Sequence, residues 1–147
     1  MNKVVVFDLD GTLANSDHRM HWVSSKPKNW PACDAAIPQD TPHDELVWLL
    51  HTIAARPDVR IILCTGRGES TRAVTEDWLK NYIGDYDALY MRSIGDYRQD
   101  SVVKVELLQQ ITYDYGRPYL WFDDRQQVVD ALRAEGIRVL QVAPGDF

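Results

Sequence analysis

Val4-Val5-Val6-Phe7-Asp8-Leu9-Asp10-Gly11-Thr12-Leu13 is an apolar, β-branched run that ends on two acids and a glycine. Such a run, bounded by a turn signal, reads as a strand buried on both faces, the kind found in parallel sheets. It would deliver its next residues to the carboxyl edge of the sheet, where open α/β folds hold their ligands. Asp8 and Asp10 are two residues apart, so an extended segment points them the same way, and Gly11 lets the chain turn sharply after them. Two carboxylates held together there repel each other and call for a cation, with Mg²⁺ the natural choice. The competing reading is an acid-rich turn that merely ends a strand. An EF-hand does not fit: counted from Asp8, the loop needs Gly at its sixth position and Glu at its twelfth, where Leu13 and Arg19 stand.

The 147 residues are about one domain's worth, so a single domain over 1–147 is expected. A formal net charge of −6 argues against a broad nucleic-acid or membrane surface, though a small basic cleft remains compatible. No stretch approaches the roughly 20 apolar residues of a membrane span, and Met1-Asn2-Lys3 with four apolar residues behind it is no signal peptide. Cys33 and Cys64 have no metal-type spacing, and reduced thiols in a cytoplasmic protein are expected.

Residues 14–42 show no clear period and read as a functional loop or flap inserted after the first strand. The insert is locally basic, with Arg19, Lys26 and Lys28 against Asp17, interleaved with Trp22 and Trp30. That mixture suits an anionic partner carrying an aromatic ring, such as a nucleotide; the alternative is tryptophans covering the core edge beside solvated lysines. His18 and His21 lack a third metal ligand. Thr41 and Pro42 are expected to open a helix whose core face is Leu46, Leu49, Leu50 and Ile53.

Strand and helix then alternate. A strand over 59–64 ends in Thr65-Gly66-Arg67-Gly68, a candidate phosphate seat, and a helix over about 70–82 stops at Gly84. A short strand over 87–91 leads into a polar loop bearing Arg92 and Arg98. The next helix, 101–111, is given the buried stripe Val102, Val105, Leu108 and Ile111, with Lys104 one position off it. A strand over 119–122 stops on Asp123-Asp124, and a helix over 126–134 leads to a strand over 137–142. This is the pattern of a Rossmann-like, doubly wound α/β sheet of about five parallel strands.

Asp8/Asp10, Thr65, Lys104 and Asp123/Asp124 fall in that order at strand ends or a helix start. In order and context they resemble the four motifs of the haloacid dehalogenase superfamily of phosphotransferases. The chain looks most like the 3′-phosphatase domain of phage-type polynucleotide kinase–phosphatases, through Leu89-Tyr90-Met91-Arg92, Gly95-Asp96, Asp100 to Lys104, Phe122 to Arg125 and Gln141 to Phe147. Those proteins also carry a P-loop kinase; this sequence has no Gly-x-x-x-x-Gly-Lys-Ser/Thr, so no kinase activity is expected. The resemblance implies Asp8 as a nucleophile forming an aspartyl-phosphate and Asp10 as the acid and then the base. It also implies Mg²⁺ between Asp8, the Asp10 carbonyl and Asp124, with Asp123 orienting a metal-bound water. Thr65, Gly66 and Lys104 would hold phosphoryl oxygens, and Thr12 and Arg67 are candidates for placing Asp10 and the far side of the substrate. Arg19, Lys26, Lys28, Trp22, Trp30, Arg92 and Arg98 are the candidate substrate surface. The expected reaction is Mg²⁺-dependent hydrolysis of phosphomonoesters at nucleic-acid 3′ ends. The alternatives are a nucleotidase acting on free mononucleotides and, more remotely, a phosphorylatable signalling receiver. Nothing in the sequence points to a protein partner.

Overall fold

Strand β1 (Lys3–Phe7) alternates its side chains between two apolar layers, which sets the architecture. Val4 and Val6 join one buried cluster, Val5 and Phe7 the other. The computed structural model describes residues 2–147. After β1 come β2 (Ala14–Asn15), α1 (Trp30–Ala35), β3 (Thr41–Pro42), α2 (Asp44–Ala54), β4 (Val59–Gly68) and α3 (Arg72–Tyr82). They are followed by β5 (Ala88–Arg92), α4 (Asp100–Asp114), β6 (Pro118–Asp123), α5 (Gln126–Ala134) and β7 (Val139–Gln141). The main sheet runs β5-β4-β1-β6-β7, all pairs parallel, so the expected doubly wound five-stranded sheet is present with β1 at its centre. Apolar residues of α4 and α5 pack on the Val4/Val6 face, and Leu50, Trp78 and Leu79 of α2 and α3 on the other. No helix among the described residues is long and apolar enough to cross a membrane.

The sequence expectations need three corrections. Thr41 and Pro42 do not start a helix. They pair antiparallel with Ala14 and Asn15, closing the base of the insert, and α2 begins two residues later behind His43. The insert is folded: a 3₁₀ turn covers Asp17–Trp22, α1 follows with Asn29 capping the Ala32 N–H at 3.1 Å, and a second 3₁₀ turn covers Ile37–Gln39. The buried stripe of α4 is Val103, Lys104, Leu107, Leu108 and Ile111, whereas Val102 is 44% exposed. Lys104 therefore lies inside the stripe, with its side chain fully enclosed.

Candidate active site

Register places the acids. Phe7 pairs with Phe122 on β6 and with Leu63 on β4, so Asp8 and Asp123 leave neighbouring strands side by side at the carboxyl edge. The Asp8 N–H donates to the Phe122 carbonyl at 2.9 Å, and the rings of Phe7 and Phe122 stack at 4.5 Å just below. Beyond Asp8 the chain folds back tightly: the Leu9 carbonyl accepts from the N–H groups of Thr12, Leu13 and Ala14 at 2.9–3.0 Å. Gly11 makes this possible with φ +83°, and a Cβ there would overlap the Asp124 carboxylate. The Thr12 hydroxyl donates to Asp8 Oδ2 at 3.2 Å, so Thr12 supports Asp8 and does not reach Asp10.

Lys104 Nζ donates to Asp8 Oδ1 and to Asp123 Oδ2, each at 2.7 Å, which explains a lysine in an apolar stripe. Both acceptor oxygens of Asp123 are engaged: Oδ2 also takes the Trp121 indole N–H, and Oδ1 takes the N–H groups of Asp124 and Arg125. The carboxylate of Asp124, by contrast, accepts from no donor among the described residues. Asp8, Asp123 and Asp124 each offer an oxygen within 4.8 Å of the others. Three carboxylates against one ammonium leave a net charge of −2, and two like charges at that distance repel by about 3 kcal/mol at an effective dielectric of 20. Burial, reinforced by Asp123 and Asp124, raises the Asp8 carboxyl well above the usual range, against the pull of Lys104. Burial likewise raises Asp124. Burial works against the Lys104 ammonium, but Asp123 and Asp8 outweigh it and hold the group charged. An acidic, oxygen-only donor set with one unpartnered carboxylate fits a hard divalent cation.

Asp10 sits in a separate cluster. Arg67 grips it with Nη2 at 2.7 Å and Nε at 3.0 Å, and Arg19 adds Nη2 at 3.1 Å. Partial burial opposes ionisation, but Arg67 and then Arg19 and Lys104 overcome it and hold the Asp10 carboxyl below the usual range. Its side chain is 34% exposed against 6% for Asp8, so it faces the opening of the site. Both arginines are anchored from behind by Asp40, which is fully buried and takes Arg19 Nε at 2.8 Å, Arg67 Nη2 at 2.9 Å and His18 Nε2 at 2.7 Å. The indole of Trp78 fixes the Asp40 carbonyl at 2.9 Å. Asp40 went unnoticed in the sequence, since its partners are 21 and 27 residues away and no local pattern marks it.

Thr65 is buried in β4, beside β1, and its hydroxyl oxygen accepts the Arg67 N–H at 3.1 Å, keeping its own proton free to donate. Gly66 lies against Asp100, where a Cβ would overlap the carboxylate. The expected substrate surface is corrected in part. Arg19 is 3% exposed and spent on Asp40 and Asp10. Arg92 braces the loop behind it, donating to the carbonyls of Gly66, Asp96 and Arg98 and to Asp100. Arg98 is paired with Asp96 and Glu106. Trp22, Lys26, Lys28 and Trp30 remain exposed.

The family model described as the polynucleotide kinase PNKP phosphatase domain matches residues 2–147. Among solved structures, a chain of the Pnkp1/Rnl/Hen1 RNA repair complex is 34% identical with a TM-score of 0.82, over 100% of this chain and 44% of that one. A second structure of that complex gives 34% and 0.81, over 100% and 47%, so this chain spans less than half the length of those relatives. The haloacid dehalogenase-like hydrolase SP0104 from Streptococcus pneumoniae is 18% identical with a TM-score of 0.69, over 95% of this chain and 84% of that one, a likeness of fold.

Proposed function

The chain belongs to the PNKP phosphatase domains of the haloacid dehalogenase hydrolases, and from that membership we propose that it removes terminal 3′-phosphates from nucleic-acid ends through an aspartyl-phosphate on Asp8. The observation that carries the mechanism is the Lys104 bridge, which holds the Asp8 carboxyl in place at the centre of the sheet edge and opposes the burial that disfavours its charge. Asp8 attacks phosphorus; the new bond joins its carboxylate oxygen to the phosphoryl group as the bond to the ribose oxygen breaks. Two of the three Lys104 donors are occupied by Asp8 and Asp123, leaving one for a phosphoryl oxygen beside the Thr65 hydroxyl. A divalent cation, Mg²⁺ by donor chemistry, held by Asp8, Asp124 and the Asp10 carbonyl, would neutralise charge and let a carboxylate approach an anionic phosphate. Asp123, with its oxygens occupied by protein donors, orients the set.

Asp10 is held ionised while the site is free, which suits the base that takes a proton from the hydrolytic water. A dianionic phosphate arriving beside it opposes that ionisation, so proton uptake by Asp10 accompanies substrate binding and supplies the acid for the leaving oxygen. A strand end is favoured as substrate because the 34%-identical relative belongs to an RNA repair complex. Free mononucleotides are the second reading: four arginines near the site are spent internally, which shortens any basic track. Phosphate release with Mg²⁺ from a 3′-phosphorylated oligonucleotide, a 5′-phosphorylated one and mononucleotides, with Asp8→Asn as the blank, separates the readings. Preference for the 3′-phosphorylated strand is the expected result. Activity surviving in Asp8→Asn would overturn the mechanism.

A further inference from the structure

Removing Arg19, Arg92 and Arg98 from the candidate surface leaves one cationic, aromatic feature near the site, the outer arm of the insert. In a 3₁₀ turn, residues three apart eclipse each other, separated by about 6 Å along the axis. Arg19 and Trp22 are three apart in the turn Asp17–Trp22, and Arg19 reaches Asp10 at 3.1 Å. Trp22 therefore continues, one turn further out, the face that Arg19 directs at the active site. Its ring is 41% exposed and rests against His21 at 4.8 Å.

The arm is held by its own backbone. The Asn29 N–H donates to the Trp22 carbonyl at 2.8 Å, closing the loop between them, and Asn29 then caps α1, which opens with Trp30, 53% exposed. Between the two tryptophans stand Lys26 and Lys28, both exposed, and neither has an ion-pair partner among the described residues. In a chain of net charge −6 this is an uncompensated pair of cations framed by two exposed aromatic side chains. Exposed π-faces beside unpaired lysines are what a single strand of nucleic acid needs, one for its bases and the other for its phosphates.

We propose that Trp22 to Trp30 is a single-strand platform, with Trp22 stacking a base at the strand end and Lys26 and Lys28 contacting backbone phosphates. This rests on the strand-end reading of the substrate given above. The test is fluorescence anisotropy with a labelled 3′-hydroxyl oligonucleotide, whose binding needs no chemistry, alongside hydrolysis of p-nitrophenyl phosphate and of a 3′-phosphorylated oligonucleotide. Trp22→Ala is expected to weaken oligonucleotide binding about five- to 150-fold, with Trp22→Tyr recovering most of it. The Lys26→Ala/Lys28→Ala variant is expected to flatten the plot of log Kd against log salt by about 1.4. The loss caused by Trp22→Ala should be at least about fivefold larger on the oligonucleotide than on p-nitrophenyl phosphate. Equal losses on both esters, unchanged strand binding in Trp22→Ala, or an unchanged salt slope in the lysine variant would each overturn the platform. A wild-type protein that binds the strand but hydrolyses no phosphomonoester would instead refute the phosphatase reading and leave the platform standing.

Discussion

Replacing Lys104 by Met leaves an unbranched apolar side chain one atom shorter and removes the ammonium shared by Asp8 and Asp123. Breaking a buried ion pair from one side costs about 3–5 kcal/mol because the surviving charge loses its partner. For a chain of this size each kcal/mol shifts the melting temperature by about 2–4 °C, so Lys104→Met in metal-free buffer should melt about 6–20 °C below the wild type. The same substitution takes the acidic cluster from −2 to −3. One extra unit of charge about 4 Å from a divalent ion is worth about 2 kcal/mol even at the dielectric constant of water, so Mg²⁺ should bind the variant about 30-fold more tightly. Added Mg²⁺ should therefore recover more stability in the variant than in the wild type, while on the mechanism proposed above, in which Lys104 holds a phosphoryl oxygen, the variant remains a poor phosphatase. Differential scanning fluorimetry across a Mg²⁺ titration, with EDTA as the zero point, measures both effects. Equal Mg²⁺ midpoints in the two proteins, or an undiminished metal-free melting temperature in Lys104→Met, would refute the account of the acidic cluster.

The two remaining predictions also concern charge in the site. Asp40→Asn should cost about 3–5 kcal/mol in urea unfolding, since two buried guanidiniums lose their common counter-charge. It should also move the acid limb of the kcat/KM profile to lower pH, because Arg19 and Arg67 are then left to Asp10 alone; an unmoved limb would disconnect Asp40 from Asp10. Asp8 and Asp124 titrate higher in the fold than in the unfolded chain, so the native state binds more protons from about pH 4 up to their raised values. Metal-free stability should fall as pH climbs through that window, and saturating Mg²⁺ should abolish the slope. Asp10 acts oppositely, its contribution being lost only as pH drops through its depressed value. Stability rising with pH in EDTA would contradict the picture.

Much of this was legible in the sequence because its signals are local. The β-branched run over Val4–Phe7, the acids that end two strands and the helix Gln126–Ala134 are each set by neighbours in the chain. What was not legible depends on distant partners. Arg19 reads as a surface cation because its acids, Asp10 and Asp40, are 9 and 21 residues away. Lys104 reads as peripheral because counting it as polar shifts the stripe of α4 toward Val102; only the two carboxylates at the sheet edge make a buried ammonium tolerable there. Thr41 and Pro42 carry good helix-start chemistry, yet pairing with Ala14 and Asn15 satisfies their backbone better and ties off the insert.

The central position of β1 also governs how the molecule is made. Its two sheet partners start at residues 59 and 118, so β1 is made well before either of them and keeps one edge bare until β6 has been synthesised. At typical synthesis rates Val4 to Phe7 wait roughly 6–20 s for β6, an interval in which a bare, strand-prone segment is open to aggregation. Because Asp8 and Asp123 come together only when that edge is sealed, the nascent chain has no phosphatase centre until β6 docks. The appearance of activity during synthesis would thus time the closure of the sheet itself.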